Sequence, residues 1–178
     1  STNNVGKKYL IDHSAGSGKT LSICWLADRL HSLYKPGSNI KMLDMVFVLT
    51  DRKSLDKNIK DELVKFAHLK SVIGVARNAA ELKGFLDIKK PIVVTTLQKF
   101  DWILEQIKND ENLKTLQVGF LIDEAHRSQE GKLGTAIRLP FRDDPDADEE
   151  VVDPEEEIAR IIKANDRNQL FVAFTATP

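Results

Sequence analysis

The sequence predicts an α/β fold in three layers, with a central, mainly parallel sheet and helices on both faces. Three observations carry this expectation. Short apolar runs recur along the chain, as in Asp44 to Thr50, Gln117 to Ile122 and Leu170 to Phe174. Strands that are apolar throughout belong to sheets buried on both faces. Segments with helical spacing alternate with these runs, the order that builds a parallel sheet. Finally, a Gly-rich turn joins the first strand to the first helix, at His13-Ser14-Ala15-Gly16-Ser17-Gly18-Lys19-Thr20.

Taken in order, Lys8 to Asp12 is the first strand and Leu21 to Tyr34 the first helix. Pro36-Gly37-Ser38-Asn39 ends that helix, since Pro and Gly punctuate regular structure. The run from Asp44 to Thr50 is a strand. Ser54 caps a helix to about Ala67, where Leu55, Ile59, Leu63 and Phe66 form one stripe. A strand from Val72 to Ala76 precedes a short helix, Asn78 to Leu86. Pro91 to Thr96 is a fourth strand and Leu97 to Lys108 a helix. The strand from Gln117 to Ile122 runs into Asp123-Glu124-Ala125-His126. Beyond it lie a helix or irregular segment near Gly131 to Leu139 and a helix from Pro154 to Ala164. The strand from Leu170 to Phe174 ends in Thr175-Ala176-Thr177-Pro178. No internal repeat is present. In a parallel sheet ligands sit at the C-terminal strand ends. The Gly-rich turn, Thr95-Thr96, Asp123-Glu124 and Thr175-Ala176-Thr177 all fall there, so four polar clusters are expected on one edge.

The 178 residues are enough for one domain with a substantial core, and the composition, 42% hydrophobic and 30% charged, is that of an ordinary globular protein. No apolar run is long enough to span a bilayer and no signal peptide opens the sequence, so a cytoplasmic location and no membrane partner are expected. The single cysteine, Cys24, allows no intrachain disulfide and is expected in the core, while Trp25 and Trp102, on helix faces, are expected as core or partial-core residues. The four histidines are scattered, which argues against a zinc site. Between Arg142 and Glu157 ten acidic residues face one basic, a local charge of −9, so the remainder carries +8 against the net −1. A basic body suits a polyanionic partner, and the acidic stretch 142–157 reads as a solvated, mobile insertion.

The turn after the first strand has the chemistry of a phosphate cradle. Its backbone N–H groups can wrap an anion, and the helix N-terminus adds its dipole. Gly16 and Gly18 let the backbone approach without a Cβ clash. Lys19 supplies a mobile positive charge, and the Thr20 hydroxyl is placed for Mg²⁺. His13 stands where the pattern has its first glycine. Downstream, a carboxylate at the Asp123 strand end can hold Mg²⁺ facing Thr20, and its neighbour Glu124 can orient and deprotonate a water. Phosphoryl transfer asks mainly for such positioning and charge neutralisation.

These segments resemble a known family. Asp123-Glu124-Ala125-His126 is the DEAH form of motif II of superfamily 2 helicases and translocases, and Thr175-Ala176-Thr177-Pro178 is similar to their motif III. Asp51-Arg52-Lys53-Ser54-Leu55-Asp56 resembles the motif Ia segment of the motor (R) subunit of type I restriction–modification enzymes. Thr95-Thr96-Leu97-Gln98-Lys99-Phe100 resembles its TTIQKF segment, and Asp123 to Gln129 its extended motif II. Phe174 to Pro178 is similar to its FTGTP, with Ala176 in place of glycine. The resemblance runs from Leu10 to Pro178.

The resemblance implies a RecA-like P-loop NTPase fold, with residues 1–178 forming one motor domain that uses ATP and Mg²⁺ for DNA translocation. Ser14, Ala15, Gly16, Ser17, Gly18, Lys19 and Thr20 would bind the nucleotide, and Thr20 and Asp123 would hold Mg²⁺. Lys19, Asp123 and Glu124 would be catalytic. His126, Thr175 and Thr177 would couple nucleotide state to domain closure and DNA contact. Arg52, Lys53, Thr96 and Gln98 would face double-stranded DNA. Implied partners are a second RecA-like domain of the parent chain and the methylation and specificity subunits. That second domain, which supplies an arginine finger, and the nuclease domain lie outside this sequence, so residues 1–178 alone are expected to be inactive.

Two other patterns invite over-reading. Glu81-Leu82-Lys83 and Glu130-Gly131-Lys132 match half of a restriction nuclease motif, but neither has an upstream acidic residue on a strand. Rival functions are another superfamily 2 DNA motor (a type III restriction subunit or a repair helicase) and a nucleotide-gated binding module without turnover. A small-molecule P-loop kinase would need neither DEAH nor Thr-Ala-Thr.

Overall fold

The computed structural model describes residues 8–14, 19–50, 71–123 and 169–177. Six strands form one sheet: β1 (Lys8–Ser14), β2 (Met45–Thr50), β3 (Ile73–Val75), β4 (Ile92–Thr96), β5 (Val118–Asp123) and β6 (Gln169–Thr177). Their order is β1-β6-β5-β2-β4-β3, and every neighbouring pair is parallel. The described helices are α1 (Lys19–His31), α2 (Ala79–Asp87) and α3 (Phe100–Asn109). The expected helices near 54–67, 131–139 and 154–164, and the acidic stretch 142–157, lie outside the described residues.

Alternation along the buried strands divides the core into two layers. Val46 and Val48 of β2, Leu121 of β5 and Val172 of β6 pack with Ile23, Cys24, Ala27 and Leu30 of α1. Phe47, Phe120 and Phe171, offset by one residue, point to the other face and meet Leu82 and Leu86 of α2 and Phe100, Ile103 and Ile107 of α3. Helices thus cover both faces, and all six residues of β2 and of β5 are buried. This is the arrangement that continuous apolar strands predict. Gly74 in β3 makes room for one of these contacts, because a Cβ there would lie 2.6 Å from the Phe85 ring.

Several boundaries differ from the sequence expectation. Helix α1 stops at His31 rather than Tyr34. Tyr34 forms an antiparallel bridge with Lys41, and the Leu33 carbonyl accepts from the Met42 N–H at 2.9 Å, which takes these groups out of the helical ladder. The intervening turn has Gly37 at φ 70, a conformation glycine adopts without strain. Asn78 caps α2: its side chain accepts from the Glu81 N–H at 2.9 Å, while the Glu81 carboxylate accepts from the Arg77 N–H at 2.8 Å. Glu81 is therefore a helix-capping residue, and the first of the two nuclease-like patterns has a structural role. The helix after β4 opens with a tight 3-10 turn, Leu97–Lys99, before α3 begins.

Trp25 is more exposed than the core or partial-core position expected of it. It is 52% exposed, because α1 turns Ile23, Cys24, Ala27 and Leu30 to the sheet and Trp25 away from it. Its ring carries the Arg29 guanidinium at 5.4 Å instead. Cys24 is fully buried and Trp102 packs, partly buried, against the α3 layer, both as expected.

Candidate functional site

All strands run the same way, so their C-terminal ends share one edge. The Gly-rich turn leaves β1 after Ser14, and α1 opens at Lys19. Ala15, Gly16, Ser17 and Gly18 lie outside the described residues, as do Arg52, Lys53, Glu124 and His126. β1 ends at Ser14 and α1 opens at Lys19, so the sequence between them connects a strand to a helix, the context a phosphate cradle requires.

The strands around that junction carry the other motifs. β6 lies between β1 and β5. Asp12, His13 and Ser14 pair with Thr175, Ala176 and Thr177, and Asp123 pairs with Phe174. At ~4.8 Å per strand spacing, β1 and β5 stand about 10 Å apart. Sequence reasoning put His13 and Ser14 in the turn and Thr175 to Thr177 beyond the last strand. The structure places all five in paired strands. Each set supplies the hydrogen-bonding partners of the other, so both strands extend further than their apolar residues do.

Asp123 ends β5 and is 3% exposed. Alternation with Leu121 turns it to the α1 face of the sheet, the face on which the Gly-rich turn feeds its helix. Thr50, which ends β2, is fully buried and donates from Oγ1 to Asp123 Oδ2 at 3.5 Å. A buried strand-end carboxylate is an oxygen ligand of the kind Mg²⁺ takes, so Asp123 fits that ion.

The Thr95-Thr96 pair divides between the two faces. Thr95 Oγ1 donates to the Ala76 carbonyl at 2.9 Å and ties β4 to the end of β3. Thr96 pairs with Thr50 and is 8% exposed. Gln98 is exposed in the 3-10 turn just beyond. Of these two expected DNA-facing residues, Gln98 offers its side chain to solvent and Thr96 shows little of its own. Thr50 was not anticipated. The signal for it was a lone hydroxyl closing the apolar run Met45-Val46-Phe47-Val48-Leu49, at the same edge as Asp123.

Comparison with known proteins agrees with this geometry. A model of the SWI2/SNF2 ATPase family matches residues 2–178. A type I restriction enzyme endonuclease subunit of Staphylococcus saprophyticus is 36% identical over 133 residues, which are 72% of this chain and 13% of that protein. One from Staphylococcus aureus is 33% identical over 143 residues, 78% of this chain and 14% of that protein. The chain therefore spans about a seventh of the length of these relatives, and their names are those the motifs point to. Among solved structures, the UvsW helicase of bacteriophage T4 superposes with a TM-score of 0.53 at 15% identity, over 97% of this chain and 47% of that one. That likeness is one of fold, the α/β RecA-like sheet of a helicase. Among the described residues no helix is long and apolar enough to cross a membrane. With a Gly-rich segment between β1 and α1, a buried strand-end aspartate and a family match over nearly its whole length, the chain belongs to the SWI2/SNF2 ATPase family as a helicase-like ATPase domain.

Proposed function

We propose that this chain is the first RecA-like motor domain of a type I restriction endonuclease R subunit, and that it couples ATP hydrolysis to DNA translocation. The observation that carries the reading is the placement of β6. This strand lies between the strand that feeds the phosphate turn and the strand that ends in Asp123, and its own Thr175-Ala176-Thr177 pairs with Asp12 to Ser14. Nucleotide-binding and coupling motifs thus meet on adjacent strands.

In this reading Ser14 to Thr20 hold the nucleotide, with the N–H groups of the turn and the Lys19 ammonium on its phosphates. Thr20 and Asp123 hold Mg²⁺, which when bound neutralises charge on the transferred phosphoryl group. Glu124 takes a proton from the attacking water. His126, Thr175 and Thr177 report nucleotide state to the second RecA-like domain of the parent chain, which supplies the arginine for turnover. Arg52, Lys53, Thr96 and Gln98 contact the backbone of double-stranded DNA, because a translocase has to pass any sequence. The parent subunit assembles with methylation and specificity subunits, and residues 142–157 are an acidic insertion in the domain.

The test uses the full-length protein. Lys19→Ala should weaken ATP binding in calorimetry, whereas Glu124→Gln should keep binding and abolish DNA-stimulated hydrolysis. Equal ATP affinity for wild type and Lys19→Ala would refute the nucleotide assignment, and undiminished turnover by Glu124→Gln would refute the catalytic one.

A further inference from the structure

We propose that Thr50 is a positioning residue for Asp123, fixing the carboxylate in the orientation that receives Mg²⁺. The proposal rests on the reading of Asp123 as a Mg²⁺ ligand and adds a residue that none of the sequence motifs includes. Thr50 is the last residue of β2, and β2 is paired on one side with β5 and on the other with β4. Leu49 is level with Ile122, so the next residues along, Thr50 and Asp123, face each other at the strand ends. Both lie on the α1 face, and they are 0% and 3% exposed. The Thr50 hydroxyl donates to Asp123 Oδ2 at 3.5 Å.

Three physical consequences follow. A carboxylate this deeply buried is costly unless hydrogen-bonded, and the hydroxyl supplies one such partner. A β-branched threonine in a strand has restricted χ1 freedom, so its hydroxyl direction is set by the backbone of β2. Hydrogen bonds to a metal-ligating carboxylate orient it and tune the site, and their loss costs about 10–100-fold in metal affinity. The bond is long for O–H···O, which places the expected effect at the lower end of that range. Thr50 also immediately precedes Asp51-Arg52-Lys53 in sequence. The same hydrogen bond therefore links the start of the proposed DNA-facing segment to the carboxylate.

The experiment titrates Mg²⁺ against binding of a fluorescent ATP analogue to the full-length protein. Thr50→Val removes the hydroxyl at nearly constant shape, Thr50→Ser retains it, and Thr50→Ala serves if the valine variant does not fold. Thr50→Val should raise the Mg²⁺ midpoint roughly 10-fold, with Thr50→Ser within about twofold of wild type. Analogue affinity measured in excess chelator should be the same for all three, which a general loss of packing would not give. A Thr50→Val midpoint within about twofold of wild type would overturn the proposal, and so would a parallel loss of metal-free affinity. Asp123→Asn separates the two readings. If Asp123→Asn leaves the midpoint unchanged, the Mg²⁺ assignment itself fails. If Asp123→Asn shifts it and Thr50→Val does not, only the role of Thr50 fails.

Discussion

Phe120 offers the sharpest test of how the sheet is built beneath the site. It sits in β5, three residues before Asp123, on the face opposite α1. The register aligns it with Phe47 of β2 and Phe171 of β6, and its ring stacks on theirs at centroid distances of 5.4 and 5.2 Å. Phe100 of α3 closes the group edge-on at 5.2 Å. Truncating a buried phenylalanine to alanine costs about 3–5 kcal/mol. Phe120 is fully buried and contacts three rings, and each such pair adds about 0.5–1.5 kcal/mol beyond area burial. Phe120→Ala should therefore fall near the top of that range, about 4–5 kcal/mol. With a urea m-value of about 2 kcal/mol/M, the unfolding midpoint drops by roughly 2 M. Trp25→Ala is the matched control, since Trp25 is a larger aromatic residue but half exposed. It forfeits the contact with Arg29, worth about 0.5–1 kcal/mol, and the burial of its covered half, worth about 1 kcal/mol more, and should move the midpoint by at most about 1 M, half the shift of Phe120→Ala. Urea unfolding of both variants, followed by circular dichroism, checks the pair. Equal shifts for the two would refute the division of the chain into buried and outward faces.

Two further predictions concern charge. Replacing Arg52 and Lys53 with alanine in the intact protein should weaken DNA binding alike for all sequences and lower the salt slope of log K by roughly 1–2 units; an unchanged slope in a salt titration would remove both from the DNA track. His31 is held below its ordinary 6.5 by burial first and the Lys41 ammonium second, against the opposing pull of Asp28, and its Nδ1 lies 3.2 Å from Lys41 Nζ. Its contribution to stability is full above 6.5 and is lost as pH falls through the lowered value, so His31→Gln should flatten the acid limb of the stability–pH curve, and a limb as steep as that of wild type would refute the assignment.

The parallel sheet was legible in the sequence because burial on both faces leaves a simple signature. Six apolar runs read as strands, and the described residues contain six strands, each within a few residues of its expected place. The two faces of a helix were harder to tell apart. Leu21 to Tyr34 contains apolar residues on every side, so its spacing does not separate Trp25 from Ile23, Cys24, Ala27 and Leu30, which fill the contact with the sheet. The end of α1 was missed for a different reason. Tyr34 leaves the helix to pair with Lys41, and an interaction across a turn leaves no trace in local helical spacing. Asp123 belongs to the DEAH motif. Thr50 belongs to no motif, and its partner is 73 residues away in sequence, so the register of β2 on β5 was needed to find it.

That register also limits how the site can work. β1, β6 and β5 are hydrogen-bonded in parallel over most of their length, from Lys8–Phe171 to Ser14–Thr177 on one side and from Val118–Gln169 to Asp123–Phe174 on the other. A slip of one residue between any two of them would turn every buried side chain to the opposite face. Phe120 and Phe171 would lose their stack, and Asp123 would leave the α1 face. The strands therefore cannot slide against each other when nucleotide binds or leaves. If Thr175 and Thr177 couple nucleotide state to the rest of a motor, they do so from a fixed backbone. A change in the Asp123 environment can then reach β2 through Thr50 without any strand shifting. Measuring hydrogen exchange with and without Mg-ATP checks this: the amides of β5 and β6 should stay equally protected in both states, and a loss of protection across Phe120 to Ile122 on binding would show that the ladder opens.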